Sequence, residues 1–157
     1  MIVTSIKTDL VKEGDNLFEI ISKNIKNLPE QSILIVAAKI VSICQGRLIE
    51  KKKAKNLEKN ELIKREADYY LDPAKSKYGV MCTIKNNILG INAGVNECNA
   101  DGGYILLPQD VQDTANTIWK FLKKRYSVKK IGVIITDSSI FASEVGNYRS
   151  CGFLLWV

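Results

Sequence analysis

The chain has 157 residues, 46% hydrophobic and 25% charged, with a net charge of +6. This composition suits one soluble globular domain and excludes a wholly disordered chain. The most apolar stretch, Ile33–Ile43, is interrupted by Lys39 and falls far short of the roughly 20 residues that cross a bilayer. Met1–Lys7 lacks the basic start and long apolar run of a secretion signal, so a cytoplasmic protein with no membrane partner is expected.

Histidine is absent, which removes the commonest general base and the commonest zinc ligand. The four cysteines, Cys44, Cys82, Cys98 and Cys151, are scattered with no Cys-x-x-Cys pair. Free thiols are expected instead of a disulfide framework. The positive balance allows an anionic partner without choosing one.

In chain order, Ile2–Lys7 reads as a strand. Asn16 followed by Glu19 offers a capped helix start, with Leu17, Ile20, Ile21, Ile25 and Leu28 at helical spacing before Pro29. Ser32–Ala38 is a short apolar run rich in β-branched residues, expected as a strand buried on both faces. Lys39–Cys44 is ambiguous between helix and strand, and Leu48–Glu50 reads as a second short strand. Glu50–Tyr70 is dense in charge and reads as a surface helix. Its Lys51–Lys55 run has no interleaved aromatics and is diluted by Glu50, Glu58, Glu61 and Glu66. A solvated face is expected there, and nucleic-acid binding is not. Val80–Ile84 and Ile88–Ile91 flank Lys85-Asn86-Asn87 as a hairpin. Asn92–Gly103 reads as a polar loop, Tyr104–Leu107 as a strand, Val111–Arg125 as a helix, and Ile131–Ile135 as a buried strand. Helices mixed with hairpin-like and buried strands give an α+β (mixed α/β) fold.

Three segments hold polar residues where a sheet presents ligands: Ala37-Ala38-Lys39, the loop Asn92–Asp101, and Asp137-Ser138. An Asp-Ser pair after a buried strand offers hard oxygen donors for a divalent cation. The competing reading is that Asp137 caps a following helix. Neither a Walker A loop nor Gly-x-Gly-x-x-Gly occurs, so standard nucleotide loops are absent.

Ile33–Arg47, ending Ser42-Ile43-Cys44-Gln45-Gly46-Arg47, resembles the strand and Ser-x-x-Glu-Gly-Arg end of the coenzyme F420-0:L-glutamate ligase family. Asn92-Ala93-Gly94-Val95-Asn96-Glu97-Cys98-Asn99 resembles that family's Asn-Ala-Gly-Ile/Val-Asp-x-Ser-Asn loop, and Ile131–Ser138 resembles its Val-Gly-Val-Ile-Ile-Thr/Ser-Asp-Ser/Thr strand. The chain is most similar to a bacterial branch of γ-glutamyl ligases associated with folate metabolism. The resemblance implies the N-terminal part of that fold, a mixed sheet packed with helices, with the C-terminal half missing. It implies a GTP-dependent ligase: a small-molecule carboxylate is activated as an acyl phosphate, and the amine of L-glutamate displaces the phosphate. It also implies Mg²⁺ or Mn²⁺ and a homodimer. Metal ligands carry over to Asn96, Asp137 and Ser138. GTP contacts carry over to Ala38, Lys39 and Asn99, and further ones to Thr8–Val11 and Ile43. No catalytic base or nucleophile carries over.

Asn96 stands where the family has aspartate, so one unit of ligand charge is lost; Cys98 stands where it has serine. The ligase-like part is expected over residues 1–141. The tail 142–157 departs from the family's Pro-Leu-Arg-x-Gly continuation. Codons permitted for that tail, read one base later, spell a family-like segment, so a frameshifted tail is expected. Weakened or absent ligase activity follows as an expectation for this truncated chain. The alternative function is a non-enzymatic remnant, a domain that binds a nucleotide or a partner.

Overall fold

The computed structural model describes residues 1–49, 58–76, 79–97, 103–138 and 151–156. They fall into two units, the first from Met1–Gly46, Pro108–Thr136 and Phe153–Val157, the second from Arg47–Leu107 and Asp137–Gly152.

In the first unit, Asn16 starts helix α1 (Leu17–Asn24) as the sequence predicts. Its Oδ1 accepts from Phe18 N at 2.9 Å and from Glu19 N at 3.4 Å, satisfying amides that the helix leaves open. Strand β1 (Ser32–Ala37) runs directly into helix α2 (Ala38–Cys44), which resolves the ambiguous stretch. Helix α4 (Val111–Tyr126) follows later in the chain and strand β8 (Ile131–Ser138) follows it. β1 and β8 pair in parallel, from Ser32 opposite Ile131 to Ala37 opposite Thr136, and the strand order is β1-β8-β9, where β9 is Cys151–Trp156.

One face of this sheet carries the core. Leu34, Val36, Val133 and Ile135 pack with Leu17 and Ile21 of α1, Val41 of α2, and Ala115, Ile118 and Leu122 of α4. The period of two in the strands and of 3.6 in the helices aligns these residues. Phe18 and Phe121 pack with their rings tilted, 4.9 Å between centroids, and Tyr126 Oη donates to Ile25 O at 2.7 Å. Gln45 closes the unit locally: Nε2 donates to Gln109 O at 3.2 Å and Thr114 Oγ1 at 3.1 Å, and Oε1 accepts from Gln109 N at 2.9 Å. A glutamate there could not donate, so the amide suits the contact.

Two expectations fail in this unit. β1 is not buried on both faces, because Ile33 and Ile35 are 61% and 59% exposed. The helices cover only the Leu34–Val36 side. Ile2–Lys7 forms no strand; Ile2 and Val3 are 94% and 82% exposed, with no neighbouring strand to pair with among the described residues. β propensity alone does not make a strand without a partner.

In the second unit, β2 (Leu48–Ile49), β7 (Tyr104–Ile105) and β6 (Asn96–Glu97) form one antiparallel sheet in that order. β3 (Tyr69–Leu71), β4 (Cys82–Lys85) and β5 (Ile88–Ile91) form another. Asn86 and Asn87 both take positive φ, 51° and 62°, as a two-residue hairpin turn requires. Helix α3 (Lys59–Glu66) is shorter than the charge-dense segment suggests. It is also less superficial, because Leu62 and Ile63 are buried with Met81, Ala93, Val95 and Leu106 in a second core. The Lys51–Lys55 run, Leu57 and residues 139–150 of the tail lie outside the described residues.

Helices mixed with parallel and antiparallel pairing make this an α+β fold, as expected. Among the described residues no helix is long and apolar enough to cross a membrane.

Candidate functional site

The first unit holds Ala38 and Lys39 where β1 becomes α2. Ala38 is buried and Lys39 is exposed. The register sets Ala37, the last residue of β1, opposite Thr136, two residues before the end of β8, and the carboxyl ends of parallel strands are where open α/β sheets receive ligands. Ile43 lies a turn further along α2 and is half-buried.

Thr8–Val11 lie along a groove of about 390 Å³, shared with Asn16, Glu19 and Lys23 of the α1 start. Lys23 Nζ donates to Asp9 Oδ2 at 2.6 Å. This hydrogen bond, and then the ammonium charge, hold the Asp9 carboxyl below its usual range and the Lys23 ammonium above its own. Both side chains are mostly exposed, so solvent screens the pair and it adds little to stability. Cys44 behaves in the opposite sense: burial, and then the nearby Asp15 carboxylate, push its thiol up. It is therefore a poor nucleophile near neutral pH.

The second unit holds Asn96, Asp137 and Ser138. Asn96 is exposed at the start of β6. Asp137 and Ser138 are the last two residues of β8, beyond its last pair with β1 at Thr136. Asp137 is half-buried. Asn99 and Cys98 lie outside the described residues.

The loop before Asn96 is held from three sides. Thr83 Oγ1, buried in β4, accepts from Ala93 N at 2.8 Å and donates to Gly90 O at 3.4 Å. Gly94 takes φ +70°, and a Cβ there would meet Leu107 Cγ at 2.2 Å. Asn96 Nδ2 donates to Gly94 O at 3.2 Å. Lys59 Nζ, on α3, donates to Glu97 Oε1 at 2.9 Å and lowers the Glu97 carboxyl below its usual range, through that bond first and its charge second.

Behind the loop, Glu66 Oε2 accepts from both Arg47 Nη2, at 2.7 Å, and Lys85 Nζ. Arg47 Nε also donates to Leu107 O at 3.1 Å. A chain of contacts thus runs from Glu66 through Arg47 and Leu107 to Gly94. The sequence reading missed Thr83, Glu66 and Lys85. A threonine facing Gly90 across a hairpin is a detectable signal, but the shared carboxylate depends on three segments distant in sequence.

The donors suit a hard cation only in part. Asp137 supplies a carboxylate, Ser138 is a hydroxyl residue, and Asn96 has an amide oxygen not engaged by its bond to Gly94. Among the described residues no three His, Cys, Asp or Glu side chains gather as a metal cluster. By residue type, one carboxylate with neutral oxygens is a donor set for a hard cation that takes its remaining ligands elsewhere, and is not an all-protein cage.

Comparison with known proteins identifies the family. The family model for F420-0:γ-glutamyl ligase matches residues 5–150. A coenzyme F420:L-glutamate ligase of Methanosarcina mazei is 31% identical over 89% of this chain and 59% of its own length. One from Methanopyrus kandleri is 31% identical over 82% of this chain and 55% of its own. One from Archaeoglobus fulgidus is 28% identical over 83% and 56%. The chain therefore spans under three fifths of the length of the curated relatives it matches.

Proposed function

The chain belongs to the F420-0:γ-glutamyl ligase family, and from that membership we propose that it carries the nucleotide- and metal-binding portion of a GTP-dependent ligase that attaches L-glutamate to a small-molecule carboxylate. The overall reaction joins the glutamate amine to the acceptor carboxyl. The acceptor carboxylate takes the terminal phosphoryl of GTP, GDP leaves, and the amine then displaces phosphate to form the amide. Divalent metal, when bound, neutralises phosphate charge.

In this reading Asp137, Ser138 and Asn96 hold Mg²⁺ or Mn²⁺, while Ala38, Lys39 and Asn99 contact GTP. Lys39 supplies a point charge suited to phosphate. The observation that carries the reading is Asp137 at the end of β8, the carboxylate where the family pattern sets a metal ligand, with Ser138 beside it. Asn96 in place of aspartate weakens the metal site by one charge, and the chain alone is expected to ligate weakly or not at all. The L-glutamate and acceptor sites, a cytoplasmic setting and a homodimer belong to the same proposal.

Isothermal titration with GTP, with and without Mn²⁺, tests it. Saturable binding that needs Mn²⁺ supports the reading. Absence of binding in both conditions refutes it and favours the alternative, a remnant that has kept the fold without the nucleotide site.

A further inference from the structure

Arg47 directly precedes β2, at the edge of the β2-β7-β6 sheet opposite to the edge that carries Asn96. The register runs straight across that sheet: Leu48 pairs with Ile105, and Ile105 pairs with Asn96. Arg47 holds the two residues that follow β7. Its carbonyl accepts from Leu106 N at 3.0 Å, and its Nε donates to Leu107 O at 3.1 Å. Its Nη2 donates to Glu66, at the end of α3, at 2.7 Å. The guanidinium thus uses two nitrogens at once, one to hold Leu107 and one to be held by a carboxylate. A lysine keeps the charge but ends in a single nitrogen, without the rigid fork that meets both partners.

Leu107 in turn shapes the loop before Asn96. Its side chain fills the space that a Cβ on Gly94 would need, and Gly94 O accepts from Asn96 Nδ2 at 3.2 Å. With Nδ2 engaged there, Oδ1 is the amide atom left to meet a cation. We propose that Arg47 is a positioning residue for the divalent-cation site, setting the aim of Asn96 Oδ1 through Leu107 and Gly94. This rests on the proposed function, in which Asn96 is a metal ligand. A carboxylate offers two equivalent oxygens and tolerates a loose carrier. An amide offers one oxygen and depends on a carrier that fixes it.

The parent chain is compared with Arg47→Lys and Lys85→Met. The second variant removes the other cation on Glu66 and leaves the Arg47 fork in place. Amide hydrogen exchange at Val95, whose N–H donates to Asn92 O within the loop, reads the loop without metal. Electron paramagnetic resonance of Mn²⁺, titrated with GTP present, reads the site. Arg47→Lys is expected to speed exchange at Val95 severalfold. It is also expected to weaken Mn²⁺ binding about tenfold, the lower end of what losing a ligand's supporting partner costs. Lys85→Met is expected to lower the melting temperature with neither change. Circular dichroism establishes that both variants fold. Unchanged exchange or unchanged Mn²⁺ affinity in Arg47→Lys, or equal losses in Lys85→Met, overturns the positioning role and leaves the proposed function standing. Absence of Mn²⁺ binding by the parent chain overturns the proposed function, and this inference with it.

Discussion

Arg47 and Glu66 form an ion pair with Nη2 and Oε2 2.7 Å apart and only 17% and 16% of their side chains exposed. Lys85 donates to the same carboxylate oxygen. One carboxylate thus serves two largely buried cations. Glu66→Gln leaves both without a counter-charge. Breaking a buried pair costs about 3–5 kcal/mol and an exposed one less than about 1, so partial burial sets the expected loss at about 2–3 kcal/mol. Urea unfolding measures it; a loss below about 0.5 kcal/mol would show that solvent screens the cluster.

Gly94 is fixed by both conformation and space. At φ +70°, with Leu107 where a Cβ would go, Gly94→Ala must strain the backbone and displace Leu107. The expected cost is about 2–5 kcal/mol, from roughly 1–2 for the left-handed backbone and 1–3 for overpacking. Chemical denaturation of the variant checks it, and an unchanged midpoint would mean the loop relaxes freely.

Asn96→Asp trades one interaction for another. Aspartate cannot donate to Gly94 O, so without metal the variant should lose about 0.5–1.5 kcal/mol. The added charge should then raise Mn²⁺ affinity, with thermal stability recovering as Mn²⁺ is titrated. A variant indifferent to Mn²⁺ would mean that Asn96 does not face the cation.

Glu30 gives an acid-side signature. Its carboxylate accepts from Lys129 N and Lys130 N at 2.8 Å, and these bonds hold its pKa below the usual carboxylate range. A depressed folded pKa means the unfolded chain binds more protons. The contribution is therefore present above the unfolded carboxyl value, near about 4.3, and is lost as pH falls through the folded one. The difference in urea midpoint between the parent chain and Glu30→Gln should be largest near neutral pH and should shrink below about pH 4. A difference independent of pH would assign the effect to shape instead of charge.

The sequence showed much of this fold where local signals were strong. Asn16 and Glu19 announced α1, the helical period from Val111 announced α4, and Asn86-Asn87 announced the hairpin. Each depends on residues close in sequence. The uncovered face of β1 was not legible, because a run such as Ile33–Val36 looks the same whether one side or both are buried. The Glu66 cluster was not legible either, since Arg47, Glu66 and Lys85 meet only through the tertiary fold. The ties that hold the Asn92–Asn96 turn, Thr83 and Leu107, were visible only once the strands were paired.

The most direct test of the proposed function is the thermal stability of the chain with Mn²⁺ alone, GTP alone and both together, for the parent sequence and for Asp137→Asn. A ligand that binds only the folded state at a hundredfold excess over Kd adds about 2.7 kcal/mol, which is several degrees for a chain of this size. The account predicts a rise of that order for GTP with Mn²⁺, little for either alone, and none in Asp137→Asn. An equal rise in Asp137→Asn would contradict the assignment of Asp137 as the metal ligand, and no rise in the parent chain would contradict the nucleotide site itself.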